Sequence, residues 1–115
     1  IRELLLPTPT SNKFKNVIKK SKEFANDNNS KFYFIYLPDS RFLKNKNYRN
    51  SKNYEKVISI VNDLNIPIID INKELFKDHE DPLSLFPFRG AGHYNELGYK
   101  QVANAIFKRI KQIEK

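Results

Sequence analysis

The chain has 115 residues, room for one domain with a modest core, and it contains no cysteine. Disulfides, thiolate metal sites and cysteine nucleophiles are therefore excluded, while the redox compartment stays open. The formal net charge is +8, yet the lysines are scattered from Lys13 to Lys115 with no nucleic-acid-binding signature, so no nucleic-acid partner is expected. No apolar run approaches the ~18 residues of a membrane-spanning helix. The segment from Ile1 to Pro7 is too short for a signal peptide. The chain opens on Ile and has no Met, so its natural start is expected upstream.

Residues 1–9 read as an extended lead-in, with Pro7 and Pro9 blocking regular helix. Thr10 or Ser11 can cap a first helix, whose Phe14, Val17, Ile18, Ser21, Phe24 and Ala25 recur at helical spacing. Turn formers from Asn26 to Ser30 end it. Phe32 to Leu37 is a continuous apolar run of strand length, as in a strand covered on both faces. Pro38-Asp39-Ser40 stops it.

From Arg41 to Lys52 the chain is polar and irregular, with a short helical turn allowed around Phe42 and Leu43. This is long for a simple connection. Tyr54, Val57, Ile58, Val61 and Leu64 define a second amphipathic helix, halted by Asn65 and Pro67. Pro67 to Ile71 is a short buried strand. A helical turn is allowed from Asn72 to Lys77, and Asp78 to Pro82 opens a long loop. That loop runs to His93, where Asn95 can cap a last helix with Glu96 in its first turn. Val102, Ala105, Ile106, Ile110 and Ile113 give that helix an apolar face.

The order helix, strand, helix, strand, loop, helix predicts an α/β fold. Its expected form is a parallel sheet flanked by helices, a three-layer α/β/α arrangement of flavodoxin-like type, with right-handed crossovers. Residues 1–115 form a single α/β domain or a fragment of one. Two strands make a poor sheet, so the chain is expected to complete it with a missing half or a second chain. Asp39, Ser40, Asp70 and the His93 loop fall at the carboxyl ends of the strands, where open parallel sheets bind ligands. A His next to a helix mouth suits a group that must reach a substrate from a fixed base.

With these elements in order, the chain resembles the C-terminal half of an SGNH/GDSL-type hydrolase. The likeness rests on the strand from Phe32 to Leu37, the helix from Tyr54 to Asn65 and the strand from Ile66 to Ile71. It is strongest from Gly92 to Tyr99, where His93, Asn95 and Gly98 match the family's last block. The resemblance implies an esterase or O-acetyl-transfer fold acting on a small-molecule or carbohydrate ester, with His93 as the base. It implies no cofactor, and it leans to an extracytoplasmic, bacterial-type setting.

Two departures accompany the likeness. No Gly-Asp-Ser block occurs in these residues, so the nucleophile is expected elsewhere and the chain alone is expected to be inactive. The family's acid lies three residues before the histidine, and that position is Gly90. Asp81 is the preferred replacement as the orienting acid, ahead of Asp78 and Glu80, with a backbone carbonyl also able to fix the tautomer. Arg89, Tyr94 and Asp39 are candidate substrate-binding residues. His79 reads as surface, and a metal site from His79, His93 and an Asp lacks ligand spacing. The alternative is a non-catalytic α/β module that associates through its open sheet edge. A further rival is a basic nucleic-acid binder, which would have to bind at moderate salt.

Overall fold

The computed structural model describes residues 12–45, 52–90 and 92–115. The lead-in over 1–9, the caps Thr10 and Ser11 and residues 46–51 of the polar stretch lie outside them. Along the chain come α1 (Asn12–Asp27), β1 (Phe34–Tyr36), α2 (Ser40–Lys44), α3 (Lys52–Asp63) and β2 (Ile68–Asp70). A π-helical turn (Asn72–Phe76), two 3-10 turns (Pro82–Leu85 and Pro87–Arg89) and α4 (Glu96–Ile113) complete it. β1 and β2 pair in parallel as a two-stranded sheet. The result is a largely helical, α/β-like fold with a small sheet.

The described residues form two compact units, 12–34 with 52–68, and 35–45 with 69–90 and 92–115. In the first, α1 packs on α3. Phe14 meets Phe34 edge-on at 6.4 Å, and the Lys22 ammonium donates to the Leu64 carbonyl oxygen over 2.7 Å. Val57, Val61 and Ile66 are buried. Both helices end the same way, on an asparagine with φ of 56° (Asn29 and Asn65). After α1, Ser30 N–H donates to the Ala25 carbonyl and Asn29 N–H to that of Asn26. After α3, Ile66 N–H reaches Val61 and Asn65 N–H reaches Asn62. This paired closure satisfies carbonyls that a helix end otherwise leaves open, and asparagine tolerates the left-handed turn it needs.

The apolar face read on α1 is present but thinly covered. No residue of that helix is buried, and Val17 and Phe24 are 59% and 73% exposed. The strands are also shorter than the apolar runs that announce them, three residues each. Only where both chains are extended side by side can the ladder form, and Leu37 already lies 51% exposed beyond it.

In the second unit the buried apolar side chains include Phe42, Ile69, Ile71, Phe76, Leu85, Phe86, Tyr94 and Val102. α4 packs on the π-helical turn and on the Pro82–Leu85 turn, and Arg109 of α4 lies 3.5 Å from the Glu74 carboxylate. Phe76, Phe86 and Tyr94 form a cluster with ring centroids 5.1–6.0 Å apart. Most of the long loop read before His93 is thus ordered by short turns and aromatic packing.

Candidate functional site

Asn95 sets the position of the His93 segment. Its side-chain oxygen accepts from Gly98 N–H over 2.8 Å, capping α4 as its residue type requires. Its amide also donates to the Ser84 carbonyl at 2.8 Å, and its backbone N–H donates to that of Leu85 at 2.9 Å. One residue therefore closes the helix and ties it to the Pro82–Leu85 turn. Gly98 completes the clamp, because a Cβ there would run into the Leu85 carbonyl oxygen and the Tyr94 side chain.

Next to this clamp is a cleft of about 200 Å³ lined by Leu37, Pro38, Asp39, Gly92, His93, Tyr94 and Tyr99. His93 is exposed. Asp39 is the N-cap of α2: one carboxylate oxygen accepts from Phe42 N–H at 2.9 Å. The other accepts from the Arg41 guanidinium at 2.8 and 3.1 Å. Partial burial opposes ionisation of Asp39, but Phe42 N–H and Arg41 outweigh it and hold the carboxyl below its usual range. An anion therefore stands in the same cleft as the imidazole.

Tyr94 is buried, and its hydroxyl donates to the Pro38 carbonyl oxygen. Burial, with the Asp39 charge behind it, pushes the phenol well above its ordinary value. Its hydroxyl is thus committed to the fold, and it lines the cleft as a wall. Tyr99 crosses it edge-on at 5.5 Å and is itself 54% exposed.

Asp81 and Arg89 form a separate pair. The guanidinium donates to both carboxylate oxygens, at 2.8 and 2.9 Å. The hydrogen bonds and charge of Arg89 hold the Asp81 carboxyl below its usual range, and Asp81 in turn raises Arg89. Phe88 and Arg89 both take left-handed φ, 51° and 60°, which bends the turn so that Arg89 meets Asp81. Neither residue lines the cleft. His93, Tyr94 and Asp39 are brought together, then, and Asp81 and Arg89 are engaged with each other.

Ser40 is buried and donates to the Gly90 carbonyl at 3.1 Å. Its hydroxyl is a strut between α2 and the His93 loop. Asp70, also buried, accepts from Asn72 N–H at 3.0 Å and starts the π-helical turn. Tyr99 was not singled out from the sequence. Its signal was its position four residues into the helix capped by Asn95, beside the His93 segment.

Among the described residues no three metal-ligating side chains gather, and no helix is long and apolar enough to cross a membrane. No protein-family model, curated protein or solved structure matches the chain.

Proposed function

We propose that the cleft is the base-bearing side of an ester-hydrolysing or acyl-transferring site, with His93 as general base. The observation that carries this reading is the shared cleft of the exposed His93 and the ionised Asp39, held by the Asn95 clamp. The likeness of the segment from Gly92 to Tyr99 to the last SGNH/GDSL block points the same way. A hydroxyl is a weak nucleophile until a base within reach removes its proton. In this chemistry the imidazole takes that proton as the oxygen attacks the ester carbonyl. It then gives the proton to the departing alkoxide as the ester C–O bond breaks. A neighbouring carboxylate stabilises the imidazolium formed in between. Asp39 fills that role in our reading, because it lines the cleft together with His93 and Asp81 does not.

The attacking hydroxyl comes, in this reading, from a segment outside these 115 residues, since no Gly-Asp-Ser block occurs in them. The two-stranded sheet is then the end of a larger doubly wound, three-layer sheet. The half-exposure of every β1 residue supports this, because strands apolar on both faces need cover on both. The same half-exposure also favours a second reading, a binding module that associates through its sheet edge.

Hydrolysis of p-nitrophenyl acetate by the full-length gene product tests the first reading. His93→Ala should lower the rate by about 10²-fold or more. Full activity in that variant would remove His93 from the mechanism.

A further inference from the structure

Deepening the ester-site reading and resting on it, we propose that Tyr99 is a stacking platform for a sugar ring of the ester substrate. The cleft joins two kinds of surface. Leu37, Pro38, Tyr94 and Tyr99 supply apolar and aromatic walls, and Asp39 and His93 supply groups that bond hydroxyls. A pyranose has the matching pair of surfaces, a flat face of C–H groups and a rim of hydroxyl donors. A plain acyl chain has no use for the carboxylate, and a polyanion would be repelled by it.

Size points to the same occupant. A cleft of about 200 Å³ lies below the range of ~300–1,000 Å³ typical of drug-sized ligands. It suits one ring.

Tyr99 is also built to act as a fixed surface. Its backbone N–H donates to the Asn95 carbonyl at 2.9 Å in the first turn of α4. Its ring stands edge-on to Tyr94, which is stacked on Phe76 and bonded to Pro38. More than half of it remains open to solvent. A ring held by a buried neighbour loses little freedom on binding, which favours affinity. Tyr94 itself cannot offer this face, because it is buried and its hydroxyl is used.

Saturation-transfer NMR on the full-length protein, with acetylated xylobiose and triacetin as probes, tests the proposal. Irradiation of the aromatic protons should carry to the sugar ring C–H protons of acetylated xylobiose. Tyr99→Leu, which keeps bulk but not the flat face, should weaken its binding about three- to tenfold. Tyr99→Phe should keep affinity within about twofold, since stacking does not need the hydroxyl. The affinity for triacetin should not respond to either change. If both esters bind and Tyr99→Leu weakens neither, or no saturation reaches the ring C–H protons, the platform is overturned and the ester site stands. If neither ester binds, both fall.

Discussion

The Tyr94 hydroxyl donates to the Pro38 carbonyl oxygen over 2.6 Å, joining the wall of the cleft to the end of β1. Pro38 and Tyr94 are both buried, so the carbonyl has little access to water if the donor is removed. Tyr94→Phe keeps the ring packing on Phe76 and Phe86 and deletes only the bond. The loss should be about 1–3 kcal/mol, the cost of an unsatisfied buried acceptor, read as a lower urea midpoint. An unchanged midpoint would mean that the bond is energetically inert.

The same tyrosine makes stability depend on alkali. Its pKa is raised in the folded protein, chiefly by burial, so the folded chain holds a proton that the unfolded chain releases at about pH 10. The unfolded state then binds fewer protons, and unfolding becomes easier as pH rises. The contribution is complete below about pH 10 and declines above it. Melting temperatures between pH 8 and 11.5 should therefore fall more steeply for the parent than for Tyr94→Phe. Parallel curves would refute the assignment.

Asn95 and Gly98 should be sensitive for different reasons. Asn95→Ala removes the cap of α4, worth about 1 kcal/mol, and leaves the Ser84 carbonyl without its amide donor. Asn95→Asp keeps the cap and loses only that donor, so it should lie between Ala and the parent. Gly98→Ala should cost about 1–3 kcal/mol through overpacking, because backbone oxygen rather than a flexible side chain blocks the added carbon. Thermal unfolding of the three variants gives the order. A Gly98→Ala protein as stable as the parent would show that α4 can shift freely against the Leu85 turn.

What was legible in the chain was mostly local. Asn95 as cap, the stop signals at Asn29 and Asn65, and the short helix at Phe42 depend on neighbours within a few residues. The extent of the sheet was less so, because an apolar run from Phe32 to Leu37 announces strand character but not how many residues find a partner. Burial of the α1 face could not be read either, since periodicity names the face and not its cover. The pairing of Asp81 with Arg89 was not legible for a related reason. Left-handed backbone at Phe88 and Arg89 makes their meeting possible, and bulky residues seldom adopt it. Gly90, where the freedom was to be expected, has φ of 168°, which any residue can take. The order of elements sets Asp39 and the His93 loop at the same sheet edge, and both line one cleft.

The two carboxylates can be separated by neutralising each in turn. Asn is as good an N-cap as Asp, so Asp39→Asn should keep α2 while removing the negative charge in the His93 cleft and the exposed ion pair with Arg41. In the full-length protein it should lower the rate of ester hydrolysis by about tenfold or more, since the imidazolium loses its counter-charge. Asp81→Asn breaks an exposed ion pair with Arg89 whose partners are 52% and 60% exposed. Solvent screens such a pair, so the melting temperature and the rate should both stay near those of the parent. The melting temperature distinguishes loss of charge from folding damage. Asp39→Asn should lower the rate while its melting temperature stays near that of the parent, since the pair it gives up with Arg41 is solvent-screened. If Asp81→Asn lowers the rate and Asp39→Asn does not, the orienting acid is Asp81, and the pair with Arg89 must open for the site to work.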